Sequence, residues 1–360
     1  MAGLSIGIVG LANVGKSTLF NALLKQKLAL AANYPFATIE PNNGMATVPD
    51  GRLEVLARIV KTEVIKKATV EFIDIAGLVA GAAQGAGLGN KFLAHIRETD
   101  LICHVLRDFA DEDILREGST DAKSDLEVIR MELLMADLAT LEKQVAPKGA
   151  ASAEAKKRWE AIEEMRGMVE KGEMINLIQD EDIKKVAQEL NLLTAKEEMV
   201  ALNVGEDELR EKMEKRGELA RELGVAEKGL VVVSAKIESE LSELTEEEQK
   251  EMLAEMGVGE SGLERLARVA YETLELQSFL TAGELEARAW TIKKGATAVE
   301  AAGEIHTDFA QKFIKAQVVS FEDFVEYGGW RGVKESGKMR QEGRDYVMQD
   351  GEVVEFMVGK

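Results

Sequence analysis

Cys103 is the only cysteine of the 360-residue chain, so no disulfide can form within it. It lies in the apolar run LICHVL and reads as a small core residue rather than a reactive thiol. No apolar stretch nears the roughly eighteen residues that a membrane span requires. No charged n-region and apolar h-region precede the first strand-like run, so no secretory signal is expected. No group of His, Cys or carboxylates has zinc-site spacing, and no internal repeat or low-complexity tract occurs. Positive charge is also scarce. Forty-five Lys and Arg face 65 Asp and Glu, a formal net charge of −20. Such a field repels phosphate backbones and excludes indiscriminate nucleic-acid binding, while leaving room for a local basic site. What remains is the expectation of a cytoplasmic protein of two or three domains, without a membrane partner and of undetermined oligomeric state.

The first positive signal is GLANVGKSTLF at residues 10–20. Gly10-x-x-x-x-Gly15-Lys16-Ser17 has P-loop spacing, follows the apolar run LSIGIVG and leads into a helical pattern. Its glycines allow backbone N–H groups to turn around a triphosphate, and the helix N-terminus adds a positive dipole. Lys16 should reach the outer phosphates, and the Ser17 hydroxyl should ligate Mg²⁺.

Downstream, VEFIDIAGL ends an apolar segment on Asp74, followed by Gly77. Asp-x-x-Gly is a GTPase-type switch pattern, in which the carboxylate holds Mg²⁺ through water and the glycine N–H senses the γ-phosphate. Between the two motifs, NYPFATIEPNNG offers Thr38 as a second Mg²⁺ ligand. Leu78 stands where many GTPases carry a water-orienting Gln, and it can neither donate nor accept, which implies slow intrinsic turnover. Asn13, Lys16, Thr38 and Gly77 are the expected catalytic contributors, with no general base assigned.

Base selection should lie after the strand EMVALNV. A guanine site needs Asn-Lys-x-Asp, but this chain has Asn203-Val204-Gly205-Glu206. The lysine is missing and the acid is one methylene longer. Losing a charged hydrogen bond costs about 1.5–3 kcal/mol, so guanine selectivity should be lost. Ser234 and Ala235, opening SAK after the next strand, fit the loop that supports the base.

Organisation follows from pattern. Residues 1–123 and 198–276 read as one α/β nucleotide domain with a mainly parallel sheet. Residues 124–197 look helical throughout, with Leu126, Ile129, Leu133, Leu134, Leu138 and Leu141 at helical spacing. A projecting helical hairpin or coiled-coil-like arm is expected there, in preference to helices lying on the sheet. Residues 277–360 read as a small α+β domain with a turn at Asp350-Gly351. Within it, residues 330–344 hold Arg331, Lys334, Lys338, Arg340 and Arg344 against Glu335 and Glu342. They form either a solvated loop or an RNA-facing patch with Trp330 free to stack. His104 is expected to be a satisfied core residue, and His95 and His306 to be structural or surface residues on helices.

The stretches GIVGLANVGKSTLFNAL, NYPFATIEPN, DIAGLVAGAAQGAGLGNKFLAHIRETD and FLTAGELEARAWTIKKGATAVEAAGEIHTDF, with the Asn-x-x-Glu strand, resemble the YchF-type Obg-like ATPases over essentially the whole chain. The resemblance implies a Ras-like nucleotide domain, a helical insertion and a C-terminal TGS domain of β-grasp form. It further implies ATP in preference to GTP, ribosome association, and adenine held by Asn203 and the backbone of Val204. Nucleotide contacts on Asn13, Val14, Gly15, Lys16, Ser17 and Thr18 are likewise what the resemblance implies. Asn13 resembles the asparagine with which related switch proteins hold K⁺ beside the phosphates. Arg116 stands where some relatives carry a histidine, so the water-activating group is unassigned. Other readings of a P-loop are a small-molecule kinase and a stress-response module with incidental hydrolysis.

Overall fold

The computed structural model describes residues 4–33, 42–75, 87–109, 120–149 and 152–359. In chain order its strands are β1 (Ser5–Val9), β2 (Asn43–Thr47), β3 (Ile65–Lys66), β4 (Thr69–Asp74), β5 (Leu101–Asp108) and β6 (Glu197–Val204). They continue with β7 (Leu230–Val233), β8 (Leu276–Ala282), β9 (Ala287–Lys293), β10 (Phe313–Val319), β11 (Arg340–Glu342) and β12 (Val353–Val358). Two compact units result, one of the described residues within 4–45 and 71–269, the other of 46–70 and 270–359. Residues 46–70 thus pack with the C-terminal part of the chain, although they fall inside the segment 1–123 that the sequence pattern groups with the nucleotide domain.

The first unit is built on a sheet of order β2-β4-β1-β5-β6-β7. β1 pairs in parallel with β4 and β5, and β5, β6 and β7 continue in parallel. Parallel strands are covered on both faces and therefore read as continuous apolar runs rather than alternating ones. All five residues of β1 and all four of β7 are buried. Cys103 lies inside β5, and burial pushes its thiol up to about 12, which leaves it protonated and inert.

The inserted helices serve two cores at once. Helix Ala122–Glu142 begins with Asp121, whose side chain caps it in a reciprocal box with Ser124. Its Leu126 joins the sheet core beside Leu106 and Leu202, whereas Leu134 and Leu141 pack with Ile162, Met165 and Ile183 in a separate core. The sequence alternatives of arm and sheet-packed helix therefore apply to different halves of one helix. Buried Asp137 ties that helix to the chain re-entering the sheet. It accepts from the N–H groups of Leu193 (2.9 Å) and Thr194 (2.7 Å) and from the Thr194 hydroxyl (2.7 Å).

The second unit has a mixed sheet of order β11-β10-β12-β8-β9-β3. Phe279, Phe313 and Phe356 pack against Ala298, Ala301 and Ala302, small side chains that let the helix Ala298–Ile305 approach closely. Arg52 joins residues 46–70 to the β12 turn, donating to Asp50 and to Asp350 (2.8 Å each). Gly351 completes that turn at φ 78°. Residues 330–344 are not a loop, because Trp330–Glu335 is helical and Arg340–Glu342 is a strand.

His104 departs in part from its expected role. It is fully buried on β5, and its Nε2 donates to Glu198 (3.1 Å), but Nδ1 has no partner among the described residues. Arg130 holds the same carboxylate through Nε (3.3 Å) and Nη2. Burial opposes ionisation of Glu198, but the hydrogen bonds and charges of His104 and Arg130 outweigh it and hold the carboxyl at about 2, against an ordinary 4.5. A depressed folded-state value stabilises the protein above the unfolded value and is lost as pH falls through the folded one. Between pH 4.5 and 2 the native state should therefore lose on the order of 3 kcal/mol from this group. Urea melts across that window should be markedly flatter with pH for Glu198→Gln than for wild type. Equal pH slopes would remove Glu198 from the acid response.

Candidate nucleotide site

Four sequence motifs converge because the strands carrying them are parallel. The P-loop follows β1, Asp74 closes β4, Asn203 and Val204 close β6, and Ser234 follows β7. In such sheets the crevice outside the carboxyl ends of the strands is where ligands bind.

Within the P-loop, Asn13 and Gly15 have left-handed backbones, at φ 62° and 89°. A Cβ on Gly15 would lie 2.1 Å from Asn203 Nδ2, so glycine is required both by conformation and by space. Gly10 is equally confined, since a Cβ there would meet the Val105 carbonyl at 2.9 Å. Lys16 opens the helix Lys16–Asn33 and is buried, and its ammonium is paired with Asp74. Ser17 and Thr18 are exposed in the first turn, where helix N–H groups have no intrahelical partner. The Ser17 hydroxyl and the Asp74 carboxylate are hard oxygen donors on neighbouring elements. That donor set fits Mg²⁺, which takes one or two protein oxygens and completes its shell with phosphate and water. No group of three or more His, Cys, Asp or Glu suited to a metal occurs among the described residues.

Asn203 is almost fully buried, and its amide is largely committed to the protein. Nδ2 donates to the Val14 carbonyl (2.9 Å), and Oδ1 accepts from the Ala235 N–H (2.9 Å). One side chain thus joins the loop after β1 to the loop after β7. Glu206 is turned toward Lys236, with 2.5 Å between carboxylate and ammonium. Sequence reasoning assigned Lys236 no role. Its signal was an opposite charge just after the strand next to the one that precedes Glu206.

Thr38, Gly77, Leu78 and Arg116 lie outside the described residues. His95 is an exposed residue of helix Gly87–Glu98. His306 is not inside a helix but caps one, its Nδ1 accepting from the Asp308 N–H (3.1 Å). Trp330 is not free for stacking either. Its Nε1 donates to the Ala282 carbonyl (2.9 Å), and its ring stands edge-on to Phe324 at 5.2 Å.

Residues 5–136 match the family described as "50S ribosome-binding GTPase", and residues 276–359 match YchF-GTPase_C, described as a protein of unknown function. The chain is 48% identical to the ribosome-binding ATPase YchF of Haemophilus influenzae, with 98% of this chain and 99% of that one covered. The Bacillus subtilis protein of the same name is 44% identical, with 98% of each chain covered. The chain belongs to the YchF family. The solved YchF GTPase of Schizosaccharomyces pombe superposes with a TM-score of 0.86 at 35% identity, over 99% of this chain and 98% of that one. The fold is therefore that of the YchF P-loop proteins, a GTPase-like α/β unit followed by the family's own β-sheet domain.

If Asn203 couples the two loops, variants on either side of its contact share one defect. Gly15→Ala and Asn203→Ala should each weaken binding of a fluorescent ATP analogue by about tenfold or more. The double variant should lose little beyond the worse single one, because interacting sites are not additive. Full additivity of the two losses would disprove a shared contact.

Proposed function

We propose that this YchF-family chain is a slow ATPase whose nucleotide-dependent switches govern its association with ribosomes in the cytoplasm. The observation that carries the nucleotide reading is the Glu206–Lys236 pair beside the Asn203 strap. A guanine site offers an unengaged Asp carboxylate to two base N–H groups. Here the acid is longer and neutralised by a lysine, while Asn203 and the Val204 backbone are left to meet an adenine edge. The ribosome reading rests on the names of the relatives, which call those proteins ribosome-binding ATPases. Among the described residues no helix is long and apolar enough to cross a membrane. The corresponding domain division is the 1–123 and 198–276 nucleotide domain without residues 46–70, an insertion at 124–197 and a TGS-type β-grasp domain at 277–360 that takes residues 46–70 with it.

In this mechanism the P-loop N–H groups and Lys16 hold the β- and γ-phosphates. Ser17 and Thr38 would hold Mg²⁺, with Asp74 acting through water. The bound metal neutralises charge on the transferred phosphoryl group. Lys16 would exchange Asp74 for the phosphates, and the released carboxylate would then be available to hold the metal through water. Gly77 N–H senses the γ-phosphate. Leu78 cannot orient the attacking water, so hydrolysis would rely on electrostatic stabilisation, with Asn13 the residue that would hold K⁺ where charge develops. The basic segment 330–344 supports an RNA contact less well, because Lys338 pairs with Asp323 and Arg340 with Glu352.

Competition titration should show ATP binding more tightly than GTP, and a tenfold GTP preference would overturn the reading. Lys236→Ala should narrow the ATP preference by releasing the Glu206 carboxylate. Turnover should be faster in K⁺ than in Na⁺, with Asn13→Ala removing the difference, and equal rates in wild type would exclude the cation. Free phosphate should be the product with ATP alone. Phosphate transfer to an added small molecule would favour a kinase instead.

A further inference from the structure

We infer that an acidic, methionine-floored groove beside the base loop docks a basic amphipathic polypeptide segment of the partner. The inference rests on the ribosome-associated reading above and identifies the chemistry of the contact. The groove has a volume of about 350 Å³ and lies between residues 206–210, helix Ala235–Leu241 and helix Glu246–Glu255 with the turn that follows it. Leu209, Ile237 and Val258 form its buried apolar floor, and Met252 and Met256 are partly exposed within it. Methionine is flexible and polarisable, so such a floor adapts to the side chains laid on it.

The rim carries the opposite character. Asp207 and Glu240 are exposed and make no ion pair among the described residues, while the cations beside them are already engaged, Arg210 on the groove with Glu214 and Lys236 with Glu206. Helix Glu246–Glu255, which lines the groove through Met252, carries five glutamates against one lysine along its length, although none of them lines the groove, and it has no buried residue. An occupant must supply apolar groups to the floor and cations to the rim. A helix or strand bearing Leu, Lys and Arg does both, because long basic side chains lay aliphatic stems on apolar surface and point their charge outward. RNA supplies neither, and the chain's negative field repels it. The basic side chains of residues 330–344 are largely paired internally, which leaves this acidic groove better suited to basic protein than the basic segment is to RNA.

Position links the groove to the nucleotide. Ile237 lies two residues beyond Ala235, whose N–H is held by Asn203, and Glu206 lines the groove while pairing with Lys236. An occupant pressing on this helix shifts the base loop, and by linkage nucleotide shifts affinity for the occupant equally.

The test uses the full chain with ¹³C-methyl methionine and a synthetic helical peptide bearing leucines at i, i+3, i+4 and i+7 and lysines elsewhere. A second peptide carries glutamate in place of lysine. The lysine peptide should bind by anisotropy and move the Met252 and Met256 methyl resonances, and the glutamate peptide should do neither. Glu240→Lys, at an exposed position, should weaken the lysine peptide by about three- to tenfold without altering ATP turnover in the absence of peptide. Unmoved Met252 and Met256 methyls, wild-type peptide affinity in Glu240→Lys, or displacement of the peptide from these methyls by single-stranded RNA would each overturn the proposal. Ribosome co-sedimentation separates the two readings. Wild-type protein that fails to sediment refutes ribosome association while the peptide titration still reports on the groove. Unchanged sedimentation of Glu240→Lys refutes the groove alone.

Discussion

The nucleotide site depends on one buried amide. Asn203 hangs from the end of β6 and bonds two backbone groups that are otherwise far apart in sequence, the Val14 carbonyl and the Ala235 N–H. A neutral amide suits this task because it offers a donor and an acceptor in one plane, and its burial makes each bond costly to lose. The packing around it leaves no slack. Gly15 must lack a side chain so that Asn203 can lie across the loop, and the apolar run of β6 must stop at the residue where a polar group is needed. Phosphate recognition and base recognition are thereby joined mechanically.

Electrostatics then set what the site accepts. In a chain of net charge −20, the cationic groups at the crevice are few and each faces an acid, Lys16 with Asp74 and Lys236 with Glu206. In the proposed function, an ATP–Mg²⁺ complex, which carries both signs, would exchange with the Lys16–Asp74 pair, giving phosphate to the lysine and metal-bound water to the carboxylate. The Lys236–Glu206 pair acts differently. It engages the carboxylate that a guanine site would leave unengaged, and the proposed ATP preference rests on this paired acid as well as on its added length.

Much of this was legible in the order of residues. The P-loop, Asp74 and Asn203 could be read from spacing because each follows an apolar run of strand length, and parallel strands bury both faces. The two-core character of helix Ala122–Glu142 was not legible. Leu126 and Leu134 look alike in a helical pattern, and only the packing sends one to the sheet and the other to the insertion. Trp330 offered the same difficulty. An aromatic residue next to basic ones suggests stacking on a base, but its indole N–H is satisfied by the Ala282 carbonyl, 48 residues away in the chain.

The sequence alone determined the family, the phosphate loop and the missing guanine determinants, since these are local patterns whose chemistry is carried by neighbouring residues. Tertiary structure alone decided which long-range partners those residues take. Asn203 meets Val14 across 189 positions, Lys16 meets Asp74 across 58, and residues 46–70 pack with the C-terminal unit, where Ile65–Lys66 joins its sheet, rather than with the domain that surrounds them in sequence. The physical reason is that hydrogen bonds and ion pairs form between groups brought together by strand pairing and core burial. Those depend on the whole chain, so no window of sequence specifies them.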